Sequence, residues 1–405
     1  MAVVAATASS RSHRLSAVLR EEARVTPLEL FFDLVFVLAL TQCTALMAAD
    51  PSWGGLAKGI LVLGVMWWSW VGYAWLTSVV DPEEGTVRLA MFAAMAAFLV
   101  VALCVPGAFG DEALLLACAY FVVRFAQIGL FVIASRDDPG LRHSVAGLAV
   151  STGIGTGLLV VASFLDGAAQ GAVWALALAL DMGGPMLIDS SGWRLEPGHF
   201  AERHGLIVII ALGESIVAIG VGAGHHVDAG VVVAATLGVV VAATLGVVVA
   251  GALWWLYFDV IALVAERRLR TAPAGRVRNE IARDSFSYLH FPMVAGIVLL
   301  ALGLKKTLGH VGDALELVPA AAMLGGTALY LLAHVAFRWR NVHRFSSARL
   351  IASCACVALL PAAVAVPALV TLSMLAALLC VLVVYERARF AELRARLRHP
   401  ASAAG

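Results

Sequence analysis

Charge is what this sequence has least of. Asp, Glu, Lys and Arg make up only 14% of its 405 residues, against 61% hydrophobic residues and a mean hydropathy of +0.92. A soluble domain carries about a quarter of its residues as charges, so the composition excludes one and points to a chain whose surface meets lipid. Cysteine is also scarce. Cys43, Cys104, Cys118, Cys354, Cys356 and Cys380 all fall inside apolar runs, with no disulfide or zinc spacing, and read as small packing residues. No GxSxG, HExxH, Walker or dinucleotide fingerprint stands in a credible context. The chain is therefore read as no enzyme, with no metal, no cofactor and no nucleic-acid partner. The first 24 residues carry Arg11, Arg14, Arg20 and Arg24 but no apolar core. They read as a cytoplasmic tail rather than a cleavable signal.

What is present is a series of apolar runs of about 20 residues, the length that crosses a bilayer as a helix. Twelve spans are expected: 27–48, 56–79, 87–106, 113–134, 144–165, 170–189, 204–224, 236–262, 286–304, 315–337, 348–365 and 367–385. The last two would otherwise form one helix of about 57 Å, too long for a core near 30 Å, and Pro361 and Pro367 suggest a reversal. The fold class is thus an all-α polytopic integral membrane protein. With the N-terminus inside, 24 of the 28 Lys and Arg lie on the cytoplasmic side, Arg203 and Arg349 among them. Only Lys58, Lys305 and Lys306 lie outside, and Arg124 is left within a span. That asymmetry predicts both termini in the cytoplasm of a bacterial plasma-membrane protein.

An internal repeat is also expected. Trp67-Trp68 recurs as Trp254-Trp255, the Tyr120/Arg124 pair as Tyr330/His334, and Ala94-Met95 as Pro292-Met293. Laying Glu29 on Glu202 places Thr41-Gln42 opposite Glu214-Ser215. Two parallel six-helix repeats follow, 25–200 and 201–386, related by an axis along the membrane normal, with a basic tail at 387–405 drawn to anionic head groups. A direct duplication, VVVAATLG at 231–238 and 239–246, adds about 12 Å of helix and reads as lengthening or tilt of the eighth span.

The informative residues are polar groups where lipid would not choose them. Glu29 and Asp33 lie one turn apart in TPLELFFDLVFVLALTQ, at 26–42. They are either an interfacial pair favoured by the helix dipole or the lining of a polar path. Glu214, in ALGESIVAIG, stands near mid-membrane, where a carboxylate costs about 2.5–3.5 kcal/mol on insertion scales. Gly213 and Gly220 on its helix would let another backbone approach. Arg124 needs a buried partner, with Glu214, Asp181 and Asp259 as the candidates. Asp181 and Asp189 flank Gly183-Gly184-Pro185, which suggests a broken helix. His290 and His334 read first as hydrogen-bonded core histidines, and Trp254 to Phe258 as packing. Pro197 to His204 reads as a cytoplasmic loop capping the seventh helix rather than a metal site. The ion- or solute-path candidates are Glu29, Asp33, Thr41, Gln42, Arg124, Asp181, Glu214, Ser215, Asp259 and His334.

The runs VTPLELFFDLVFVLALTQ at 25–42 and ERHGLIVIIALGESIVAIG at 202–220 resemble the two signature segments of the bacterial low-temperature-requirement protein A (LtrA) family, and Trp67-Trp68 and the Tyr120/Arg124 span are similar too. The resemblance implies a polytopic membrane protein and a link to growth in the cold. Phe32 to Thr41 is also similar to the FSDxxxAIxxT first helix of the lysosomal and bacterial potassium-channel family built from six-helix repeats. That likeness lays Asp33 and Thr41 on the motif aspartate and threonine, with Phe32 in place of the serine and His204-Gly205-Leu206 where a second motif would stand. Three functions follow: a solute or ion transporter, perhaps proton-coupled, using Glu214, Asp33 and Arg124; a cation channel, formed by a homodimer with four repeats; or a non-transporting membrane factor. The expected partners are the lipid bilayer and an unidentified small solute or ion.

Overall fold

A computed structural model describes residues 24–187, 190–223 and 232–398. Among these residues the elements are all helical, and the only β pairing is an isolated bridge between Ala314 and Pro367. The first six helices are α1 (Pro27–Ala49), α2 (Trp53–Thr77), α3 (Gly85–Leu103), α4 (Ala113–Ala134), α5 (Pro139–Ala162) and α6 (Gly167–Leu187). Next come α7 (Pro197–Ala223), α8 (Val232–Phe258), α9 (Ile261–Thr271) and α10 (Arg276–Ile281). A π-helical segment, Ala282–Tyr288, leads into α11 (His290–Gly309) and α12 (Leu317–Val342). The chain ends through α13 (Ser347–Ala358), α14 (Leu360–Ala363), α15 (Ala368–Arg389) and α16 (Ala391–Arg398).

Among the described residues, ten helical stretches are long and apolar enough to cross a membrane, the mark of a multi-pass helical membrane protein. The expected spans 170–189 and 348–365 fall outside that set. Their described residues are mostly helical, but α6 carries Gln170, Asp181 and a Gly-Gly-Pro run, while Ser347–Ala363 is short. The expected break at Gly183-Gly184 does not occur. Helix α6 continues through Pro185 to Leu187; the Tyr288 hydroxyl donates to the Met182 carbonyl and Arg283 Nη1 to that of Pro185 (3.2 Å). Outside groups thus satisfy carbonyls around the proline, as a helix interior requires. The separation of 348–365 from 367–385 does occur, with Pro367 at the N-cap of α15. Asp189 and part of the duplicated VVVAATLG run lie outside the described residues; the rest of that run is helical within α8.

Local chemistry sets the helix starts. At α1, Thr26 Oγ1 accepts from the Glu29 amide and Glu29 Oε2 accepts from the Thr26 amide (2.9 Å), a capping box completed by Pro27 in the first turn. Ser52 caps α2 (3.1 Å). Asp138 caps α5 through the Leu141 amide (3.1 Å) and accepts from Arg194 (2.7 Å). Burial opposes the Asp138 charge, but that amide and the guanidinium hold its carboxyl below the usual carboxylate range. Its stabilisation is therefore present above the ordinary carboxylate pKa and is lost as pH falls through the lowered one.

Outward faces such as Leu34, Leu89, Phe164 and Val381 are exposed and apolar, as lipid contact demands, while Phe32, Phe36, Trp67, Trp70 and Tyr73 fill the interior. Helix α11 is central, packing on α12, α7, α1, α8 and α2. Its close approach to α12 depends on Gly296 and Gly326: a Cβ on Gly296 would stand 2.5 Å from the Gly326 carbonyl oxygen, and one on Gly326 2.6 Å from that of Gly296. The glycines expected to serve this purpose, Gly213 and Gly220, have open space where a Cβ would lie. Gly296→Ala should thus destabilise the fold by about 1–3 kcal/mol, read as thermal unfolding in detergent, whereas Gly213→Ala should leave the melting point within error.

Candidate functional site

Helix α1 buries one stripe, Glu29, Phe32, Asp33, Phe36, Leu40, Cys43 and Thr44, with the three- and four-residue spacing of a helix face. The carboxylates on that stripe meet α7. Arg203 Nη2 lies 2.6 Å from Asp33 Oδ1, and Nη1 lies 3.2 Å from Glu29 Oε1. Thr77 Oγ1 accepts from the same guanidinium (3.0 Å), Trp70 Nε1 donates to Asp33 Oδ1 (2.8 Å), and the Arg203 guanidinium stands over the Trp70 ring. His199 Nε2 is 2.9 Å from Glu29 Oε1. Glu29, Asp33 and Arg203 are fully buried and His199 nearly so. Glu29 and Asp33 therefore face polar partners inside the bundle. Removing charges from water costs several kcal/mol per ion, which only close partners offset.

The expected cytoplasmic loop at Pro197–His204 is instead the buried start of α7. Arg203, counted as a cytoplasmic charge, is the counter-ion that holds α1. One signal could have found it. Arg203 and Glu214 are eleven residues apart, close to three full turns, so a helix that buries Glu214 turns Arg203 to the same side. Arg124 is likewise joined in the interior by Arg203 and Arg349, both buried.

A second layer lies eight residues further along α1, about 12 Å. Thr41 Oγ1 donates to Glu214 Oε2 at 2.6 Å, and Thr44 is a further hydrogen-bond partner. Lys305 of α11 is the cation whose field reaches Glu214, but no ion pair to it occurs among the described residues. Ser215, its neighbour, is buried with an unpartnered hydroxyl. Gln42 is half-buried beside this layer.

The other expected site residues lie elsewhere. Arg124 pairs with Asp181, chosen over Glu214 and Asp259, at 3.0 Å. It also donates to Thr152 Oγ1 (2.7 Å), Gln127 Oε1 (2.9 Å) and the Trp68 carbonyl (3.3 Å). Thr152 (2.9 Å) and Tyr120 (3.4 Å) donate to Asp181, so this cluster ties α4, α5 and α6 to α2. A counterpart missed in the sequence occurs among the later helices. Arg349 pairs with Glu386 at 2.6 Å and donates to the Leu256 carbonyl (2.8 Å), tying α13 and α15 to α8. Asp259 pairs instead with Arg394 of α16 (2.5 Å). His334 is a core histidine whose Nδ1 donates to the Tyr330 carbonyl (2.7 Å), and Tyr257 donates to His290 Nε2 (2.8 Å).

Two cavities open on the bundle. One, about 520 Å³, lies against α7, α8 and α9 and is lined by Glu196, Glu202, Arg270 and Tyr257. The other lies between α2, α4 and α6 and the π segment and is lined by Trp68, Arg124, Gln127, Trp193, Arg283 and Ser287. Neither is lined by Asp33 or Glu214. No cluster of three His, Cys, Asp or Glu able to hold a metal occurs among the described residues.

These features define a class: a multi-pass helical membrane protein whose ionised groups face one another inside the bundle. The chain belongs to the family described as Bacterial low temperature requirement A protein (LtrA), which matches residues 24–384. It is similar to an uncharacterized protein of Rhizobium meliloti (strain 1021), 29% identical over 336 residues, 80% of this chain and 79% of that protein. No solved structure matches it.

If Arg203 holds two buried carboxylates, Arg203→Met alone should destabilise the protein by about 3–5 kcal/mol. Combining it with Glu29→Gln and Asp33→Asn should restore more than half of that loss. Thermal unfolding in detergent measures both, and equal losses for the single and triple variants would contradict the assignment.

Proposed function

We propose that this protein is a solute or ion transporter of the bacterial plasma membrane, not an enzyme, built from two parallel six-helix halves that move against each other. In this reading α6 and Ser347–Ala363 complete twelve crossings, and both termini lie in the cytoplasm. The observation that carries the proposal is the seam between α1 and α7, the first helices of the two halves, where Glu29, Asp33, Arg203, His199 and Glu214 are buried and the half-buried Thr41 reaches Glu214. Apolar residues of similar volume would be as stable or more so, so charges gathered at one joint fit a use there beyond stability. Polar groups buried between halves mark pathways in transporters.

The two layers of the seam differ in what they can do. Asp33 and Glu29 share Arg203, so protonating either one breaks an ion pair. Glu214 is held by hydroxyls, so it can gain or lose a proton while every ion pair of the seam stays formed. Glu214 is then the coupling group, and its protonation biases the equilibrium between two packings of α1 on α7. The channel reading ranks lower because Arg203 places a fixed cation on Asp33, the residue a permeating cation would have to pass.

In liposomes loaded with purified protein, Glu214→Gln should abolish the pH dependence of uptake while the protein stays folded by gel filtration. Uptake with an unchanged pH profile would remove Glu214 from the mechanism. Passive flux altered by Leu38 or Thr41 substitutions would favour the channel, and the absence of any flux the non-transporting factor.

A further inference from the structure

The cavity between α2, α4, α6 and the π segment sets basic and amide groups among aromatic rings. Its described lining includes two guanidinium groups, Arg124 and Arg283, the amide of Gln127, and the rings of Trp68, Trp75, Trp193 and Phe131, but no Asp or Glu. Its enclosed space is about 50 Å³, room for an ion or a very small molecule. Two donors on its lining residues are buried with no partner: Arg124 Nε and Gln127 Nε2. The Gln127 assignment follows from its surroundings, because its oxygen accepts from Arg124 Nη1 at 2.9 Å and so leaves the NH₂ as the free end. An unmet buried N–H costs about 1–3 kcal/mol, and here two belong to residues that line the same space.

Charge points the same way. Arg124 pairs with Asp181, while Asp284 is shared between Arg283 (2.8 Å) and Arg340 (3.0 Å). Three guanidiniums against two carboxylates leave this group of side chains one positive charge in excess, with Arg124 and Arg283 on the cavity lining. Gly72 contributes by having no side chain, since a Cβ there would lie 2.3 Å from Gln127 Nε2. The π-helical backbone is a form that recurs at functional sites. It supplies Arg283 from the far side and is pinned there by Trp67 and Trp75, which donate to the Ser287 carbonyl (2.9 Å) and hydroxyl (3.0 Å).

We propose that this cavity binds one small monovalent anion, a halide or a short carboxylate, held by the free N–H groups of Arg124 and Gln127 and by the charge of Arg283. The binding site stands on these residues alone; its use as a substrate site rests on the transporter reading. The ring-lined walls provide the readout, because a heavy halide bound against tryptophan quenches its fluorescence.

The test titrates bromide into purified protein in detergent at constant ionic strength, with gluconate as the replacement anion. Saturable quenching is expected, displaced by chloride or acetate. Gln127→Glu keeps the oxygen that accepts from Arg124 but puts an acceptor where the free donor was, so it should weaken bromide at least tenfold. Arg283→Gln, on a more exposed side chain, should weaken it as well, with both variants shown folded by thermal melting. Purely linear quenching in the unmodified protein, or a saturation curve unchanged in both variants, would overturn the site. Saturable binding without chloride flux in liposomes would keep the site and remove the transport role. Flux of another solute with no saturable binding would do the reverse.

Discussion

One guanidinium in oil governs how this bundle is assembled. Arg203 is fully buried, and its partners are two carboxylates on a helix 170 or more residues earlier in the chain. Neither α1 nor α7 can turn its polar stripe toward lipid without separating those ions. The rotation of both helices is therefore fixed by electrostatics before side-chain packing refines it, and the aromatic residues around them fit a geometry already set.

The same device recurs in two other places. Arg124 with Asp181, and Arg349 with Glu386, each bind a late helix to earlier ones and each Arg also donates to a backbone carbonyl, of Trp68 or Leu256. Lipid tails give helices no reason to associate, since they are as apolar as leucine. Buried ion pairs and close glycine contacts supply specificity where the hydrophobic effect does not. Gly296 and Gly326 do so between α11 and α12, and the ion pairs do so where side chains must reach further.

These pairs also divide the interior by the kind of change each region tolerates. A carboxylate bound to a guanidinium cannot be neutralised without stranding its partner charge. Glu214, bonded to Thr41, is held by a hydroxyl instead. The ion-paired layer and the hydroxyl-bonded layer lie on the same two helices, about 12 Å apart along α1.

The sequence by itself determined the class, because scarce charge and repeated 20-residue apolar runs admit only membrane-spanning helices. It also marked Arg124 and Glu214 as residues that must face protein, since the cost of exposing them to lipid depends on residue type, while Glu29, Asp33 and Asp181 stood only as candidates. It left Arg203 and Arg349 among the cytoplasmic charges, for a physical reason: at a helix end an arginine in water and one turned inward have the same neighbours in sequence. Only the tertiary structure decided that the residues from Pro197 to His204 begin a helix, that Asp181 rather than Glu214 answers Arg124, and that Asp259 pairs with Arg394. Partner choice depends on helix rotation and separation in three dimensions, which hydropathy does not encode.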